Sequence, residues 1–327
     1  MRRGLVVISL LGAAAPAAAD PNDLVLSRLA TLQTDGSGNV IGSVGQNREL
    51  RALSSQLGVV LAPHLLTPAD TLGFGGFQLT VDYAMTTVDT SADYWRALRG
   101  STDPSASGNA AHGSNMMRTV GMFVRKGMWF PVPSMELGGG AIHLVDSHIW
   151  TGQLYTKLAL HEGYHDLPIP SLSVRGAVSR MMTQRELDLT VASVDVAISK
   201  HFGVGSTWRF DPFGGWNLLM IIPRSEVIDP TPNIDPLVPG NEGDIMNNFV
   251  FPEQDNILRH RFFVGAKFQY YVFQFTVEAQ FALKGSSVDD RQGTTEACMP
   301  NSVTEACDAT DTAKAQRTLS MSAGFDF

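Results

Sequence analysis

The sequence predicts a transmembrane antiparallel up-and-down β-barrel of about ten strands, with a short N-terminal periplasmic helix; eight to twelve strands fit the same pattern. Three observations carry this prediction. Apolar and polar residues alternate with period two through most of residues 71–327, as strands with one lipid face and one lumen face require. Beyond the first residues, no stretch approaches the roughly 20 apolar residues of a transmembrane helix. From Leu319 to Phe327 the odd positions are Leu, Met, Ala, Phe and Phe, and the even positions are small or polar. A water-soluble protein gains nothing from ending on two exposed phenylalanines.

The start of the chain agrees. Met1-Arg2-Arg3 is basic, Gly4 to Ala14 is apolar, and Ala17-Ala18-Ala19 before Asp20 offers a small-residue cleavage site. Residues 1–19 therefore read as a secretory signal peptide, since a dozen apolar residues are too few for an anchor. No cysteine follows the cleavage site, which argues against a lipid anchor. Charged residues make up 17% of the chain, below the roughly 25% of soluble domains. Without Arg2 and Arg3 the chain carries 22 basic and 32 acidic residues, a net charge of −10 that argues against nucleic acid as a partner. Cys298 and Cys307, the only cysteines, lie close together in a polar stretch of an exported chain, and one disulfide is expected. A zinc pair is the rival, without nearby His or further Cys to complete it.

Residues 20–70 do not alternate and are assigned to a periplasmic N-terminal segment, with residues 71–327 as the barrel. Residues 33–46, rich in Gly, Ser and Asn, read as loose. Asn47 is placed to cap a helix over 48–61 with Leu50, Leu53, Leu57, Val60 and Leu61 on one face, and Pro63 ends it. That helix can plug the lumen, lie against the periplasmic rim, or stand outside. Strands follow at about 77–85, 119–125, 135–141, 153–161, 172–179, 187–198, 206–222, 262–270, 273–283 and 319–327. In the sixth, Leu187, Leu189 and Val191 change parity to Val194, Val196 and Ile198, which predicts a β-bulge near Ala192-Ser193.

Connection lengths test the count. The long polar connections, about 86–115, 223–256 and 285–314, all follow odd strands, so ten strands put every long loop outside and the C-terminus inside. Trp129, Phe130, Tyr164, Phe202, Tyr270 and Tyr271 flank the short turns as an interfacial girdle does. The terminal strand with Phe325 and Phe327 resembles the closing strand of bacterial outer-membrane β-barrels, in which a final Phe serves as assembly signal. That resemblance implies the outer membrane as location, and as partners the lipid bilayer, lipopolysaccharide and the barrel-assembly machinery. The N-terminal helix is similar, loosely, to the plug of the long-chain fatty-acid channel family, whose barrels have more strands.

Candidate chemistry is sparse, and no cofactor is expected. His161-Glu162-Gly163-Tyr164-His165 has the H-E-x-x-H spacing that holds zinc on a helix. The preceding residues alternate as a strand, where positions i and i+4 lie about 13 Å apart, and Pro168 and Pro170 leave no room for a helix. Asp146-Ser147-His148 has the D-x-H pattern of the omptin outer-membrane proteases, which are ten-stranded; their other acidic residues find no counterpart here. By parity Asp82, Arg125, Glu136, Lys157, Arg175, Asp188, Asp195, Arg209, Lys267 and Glu278 face the lumen, either as an ion-paired closed interior or as a polar pore. Acidic loops 223–256 and 285–314 lack any fixed Ca²⁺-ligand spacing. The expected function is passage or binding of small solutes across the outer membrane. A structural or adhesive barrel acting through its loops is the alternative, and a hydrolase using His161, Glu162 and His165, or Asp146 and His148, comes third.

Overall fold

The computed structural model describes residues 20–37, 40–101, 115–129, 134–162, 169–205, 207–231, 234–235, 237–241, 243–289 and 310–327. A hairpin, β1 (Ala30–Thr34) and β2 (Val40–Gly45), precedes one helix, α1 (Asn47–Val60). Then come β3 (Phe77–Thr87), β4 (Met116–Met128), β5 (Met135–Leu144), β6 (Trp150–His161), β7 (Ser171–Met181) and β8 (Leu187–Ser199). A short β9 (Phe202–Val204) leads into β10 (Trp208–Ser225), β11 (Ile257–Tyr270), β12 (Phe273–Ala282) and β13 (Gln316–Asp326). Ten of these strands pair antiparallel, each with its neighbour in the chain, β9 folding back only onto the start of β10. The ring closes where β13 meets β3, from Thr318↔Thr86 to Asp326↔Gln78. It is a closed ten-stranded antiparallel barrel, so the strands have no free edge.

Alternation explains both faces. Val81, Met122, Leu154 and Val264 point outward and are 55–66% exposed, while Gln78, Thr80, Asp82, Gln274, Thr276 and Glu278 on the opposite parity are buried. The long connections between β3 and β4, β10 and β11, and β12 and β13 gather at one end, which we call the loop end. The C-terminus and the turn at Tyr271-Val272 lie at the other. Trp129, Phe202, Tyr270 and Tyr271 are exposed at that second end, and Phe130 and Tyr164 fall outside the described residues.

Three expectations need correction. The first concerns the helix, which among the placements the sequence leaves open takes the lumen, at the loop end of the barrel. Helix α1 packs inside the loop end of the barrel against β8, β10, β11 and β13. Its leucines Leu50, Leu53 and Leu57 join Leu187, Leu189, Val191, Leu219, Ile221 and Ile257 from the wall and Leu24, Leu26, Leu29, Trp95 and Leu98 from the cap above. An amphipathic helix of this length is stable only where such a face is buried. Second, the loose stretch before it contains β1 and β2, paired from Ala30↔Gly45 to Thr34↔Val40. Gln46, not Asn47, precedes the helix, and its side chain bonds Thr31 and Arg96 instead of capping it.

The third is the bulge. Strand β8 keeps register with both neighbours through Ala192 and Ser193. Leu187, Leu189 and Val191 are fully buried inward, whereas Val194, Val196 and Ile198 are exposed outward. The parity does not switch; the lining of the barrel does, from polar at the turn end to apolar around α1.

Candidate functional site

The candidate site is the lumen, and the chain itself occupies it. Beyond α1, residues 62–76 run through the barrel to Phe77, where the first wall strand begins. Pro63 and Pro68 lack N–H groups and hold φ near −65°, which keeps this strap from continuing the helix. It has no strand partner, so its backbone polar groups need other partners once buried. Side chains from the wall supply them.

Donors reach the strap carbonyls. Ser179 Oγ donates to the carbonyl of Leu61 at 2.8 Å and Arg261 Nη2 to Pro63 at 3.0 Å. Arg175 Nη1 donates to Leu65 at 2.8 Å, and Lys157 Nζ to Pro68 and Asp70 at 3.2 and 2.8 Å. Acceptors meet the strap amides. Leu66 N–H donates to Glu278 at 3.0 Å, Ala69 to Ser199 at 3.1 Å, Thr71 to Glu162 at 3.1 Å and Leu72 to Glu136 at 3.1 Å. Leu66 sits at a φ of +33°, a conformation rare for a leucine, with Glu278 on its amide and Arg125 3.4 Å from its carbonyl. Strap side chains Leu65 and Ala69 are buried against Ala197, Phe213 and Phe263.

The wall charges are also paired with each other. Arg175 Nε bonds Asp195 at 2.9 Å, Lys157 meets Glu136 at 3.1 Å, and Lys267 meets Asp326 at 2.7 Å. Asp82 lies 3.5 Å from His64 of the strap and 4.0 Å from Arg125. The first three pairs are hydrogen-bonded as well as charge-paired and so escape the penalty of bare burial, whereas neither oxygen of Asp82 has a hydrogen-bond partner. Glycines in β5 make room for two inward rings. A Cβ on Gly138 would sit 2.2 Å from Tyr155, and one on Gly140 2.4 Å from Phe123.

Asp82, Arg125, Glu136, Lys157, Arg175, Asp195, Lys267 and Glu278 thus lie buried around the strap, with Arg209 partly exposed at the turn-end mouth beside Asp211 and Asp70. Asp188 does not. It lies on the outer row paired to Arg180 at 2.7 Å, because the inward positions around it are the leucines that hold α1. Sequence reasoning missed Arg259 and Arg261, although extending the alternation of β11 back from Phe262 places both inward. It also missed His64, Arg51 and the strap acceptors, which no periodicity marks. Arg51 and Arg259 tie α1 down, the first to Asp255 and Ser287, the second to Ser55. At the turn-end mouth a polar cavity of about 100 Å³ remains between Asp70, Arg125, Lys157, Arg209 and Lys267.

The catalytic motifs resolve into structural contacts. His161 ends strand β6 and Glu162 binds Thr71, while the rest of the H-E-x-x-H spacing, His165 included, lies outside the described residues. Asp146 pairs with Arg118, while His148 Nδ1 bonds Asp23 at 2.8 Å and stands 3.4 Å from Asp20. These contacts moor residues 20–24 to the β5–β6 loop. Asp20, Asp23 and His148 form the one described group of three side chains with metal-ligand spacing, but the Asp23 carboxylate already serves the His148 side chain and backbone amide. Cys298 and Cys307 also lie outside the described residues.

The Asp23 carboxylate, bonded to the imidazole, raises the pKa of His148 above its usual 6.5. A raised value in the folded state means that this mooring is fully present below about pH 6.5 and fades as pH climbs through the shifted value. Limited proteolysis within residues 20–45 should accelerate on going from pH 6 to pH 9, whereas His148→Ala should be cut rapidly at both. Equal pH dependence in the two proteins would discard the mooring.

No protein-family model matches the chain, and no curated protein matches it. Among solved structures it is similar to the outer-membrane protease OmpT from Escherichia coli (7% identity, TM-score 0.33, covering 82% of this chain and 99% of that one). Ail, the attachment invasion locus protein of Yersinia pestis, aligns at 9% identity and a TM-score of 0.27 over 78% of this chain and 99% of its own. Outer-membrane expressed OmpT of Vibrio cholerae aligns at 7% and 0.26, over 64% of this chain and 56% of that one. The similarity to long-chain fatty-acid channels finds no support here. Likenesses this distant carry no function across.

Proposed function

We propose that the protein is an outer-membrane β-barrel, exported with a cleaved signal peptide, whose lumen is closed by its own residues 46–76 and which acts as a structural or adhesive surface barrel through its loop end. The carrying observation is the strap: it fills the lumen from α1 to Phe77 with its backbone held by buried wall charges. The apolar outer band supports a bilayer around the strands, with lipopolysaccharide on the loop side, and the Phe325/Phe327 end suits the assembly machinery. Solute passage or binding is the second reading, favoured by the polar cavity at the turn-end mouth; passage would need the strap displaced. Hydrolysis by His161, Glu162 and His165, or by Asp146 and His148, comes last, because Glu162 and His148 are engaged with the N-terminal segment.

Conductance in a planar bilayer tests the closed lumen. The intact protein should give no steady channels. A variant that removes three wall contacts to the strap (Arg175→Ser, Arg261→Ser and Lys157→Ser) should show discrete openings if it folds. Steady conductance from the intact protein would restore solute passage to first place.

A further inference from the structure

The strap has a direction. Phe77 begins the wall at the turn end, beside the C-terminus, where the backbones of Phe77 and Phe327 exchange hydrogen bonds of 2.9 and 2.8 Å. Followed backwards, Leu72 meets Glu136 near the start of β5, Leu66 meets Glu278 in mid-barrel, and Leu61 meets Ser179 near the loop end of β7. Helix α1 then fills the loop-end mouth, and residues 20–45 lie above it. Asn22 donates to the carbonyls of Val145 and Asp146 on the β5–β6 loop, Leu24 bridges Leu98, and Ser43 donates to the carbonyl of Asn247 in the β10–β11 connection. Fifteen residues, 62–76, span at most roughly 50 Å when fully extended, so even with the bends and the turn at Phe74-Gly75 they have length to spare against the about 30 Å of a bilayer's hydrocarbon core. The strap alone therefore suffices to carry the chain from one side to the other.

Most of the wall contacts just described go to strap carbonyls and amides, and few to its side chains. A wall that reads backbone holds an extended polypeptide with little regard to its sequence. We propose that the lower lumen is a binding site for a non-helical polypeptide thread, and that through it this barrel displays its own residues 20–45 on the outer face of the membrane. The inference rests on the outer-membrane reading above, with the C-terminus periplasmic. The displayed element is the β1–β2 hairpin: Thr31, Leu32, Gln33, Ile41 and Ser37 are exposed, Ile41 to 64%.

Cysteine accessibility on whole cells tests it. In a Cys298→Ser/Cys307→Ser background, single substitutions Ser37→Cys, Ile41→Cys and Phe74→Cys are treated with a polymer-linked maleimide too large for general porins, and folding is checked by heat-modifiable migration. Ser37 is at the hairpin turn, and Phe74, 84% exposed, is at the turn-end mouth. Ser37→Cys and Ile41→Cys should label on intact cells, and Phe74→Cys only after the outer membrane is permeabilised. Labelling of both hairpin variants only after permeabilisation would overturn the display. The two readings fail separately: a labelled hairpin with steady bilayer channels sinks the closed lumen and keeps the display, whereas a hidden hairpin with a silent bilayer sinks the display alone.

Discussion

Arg175→Ala is expected to destabilise the folded barrel by about 3–5 kcal/mol, the range for stranding the partner of a buried ion pair. Arg175 is buried, its Nε bonds Asp195, and its Nη1 reaches the Leu65 carbonyl. The guanidinium also stands 5.3 Å above the Tyr155 ring. Removing it leaves Asp195 charged inside the lumen and a strap carbonyl without its donor, and neither can turn to water. Lysine offers one compact charge in place of a planar fork, so Arg175→Lys should recover only part of the loss. Arg175→Met combined with Asp195→Leu removes both charges and should recover more than half. Midpoints of urea unfolding in detergent micelles would read all four proteins. A single alanine variant within 0.5 kcal/mol of the parent would mean that the lumen is wetter than this packing implies.

Deleting Phe325-Asp326-Phe327 is expected to cut the folded protein recovered from outer membranes several-fold, and Phe327→Glu to do nearly as much. Phe325 pairs with Leu79 on β3 and Phe273 on β12, its ring 5.2 Å from that of Phe273, so the deletion shortens both sides of the closing seam. Asp326 leaves with them, and buried Lys267 loses its 2.7 Å partner. Backbone groups opened to hydrocarbon cost several kcal/mol each, because nothing in lipid replaces their hydrogen bonds. Refolding into micelles separates two causes. If the truncated chain folds there as well as the parent but fails in cells, the terminal phenylalanines act as the assembly signal. Unchanged recovery in cells would remove them from both roles.

The wall was legible because a strand between lipid and a polar lumen has to alternate, and Phe262 to Tyr270 or Phe273 to Leu283 do so without interruption. The parity of the long connections then constrained the count. The same rule misled at Asp188. It equates inward with polar, and that holds only where the lumen is polar. Around Leu187, Leu189 and Val191 the lumen is lined for a helix, so the apolar residues face both ways and a uniform register looked like a bulge. Residues 62–76 left no periodic trace at all. A strap held through its carbonyls and amides places no demand on the spacing of its side chains, and only Pro63 and Pro68 hinted that the helix does not continue.

The apolar cluster around α1 has a thermodynamic character that the strands around it lack. Lipid-facing side chains exchange one hydrocarbon for another, so little hydrophobic force holds them in place. Leu50, Leu53, Leu57 and their partners are withdrawn from water at the loop-end mouth, as in a soluble domain. Their burial carries a heat-capacity change, so it weakens on cooling and yields to denaturants that solvate apolar groups. The barrel's hydrogen-bonded girth responds to neither in the same way. One polypeptide thus contains two phases of stability, and mild urea or cold should loosen the inner body while the enclosing cylinder stays intact.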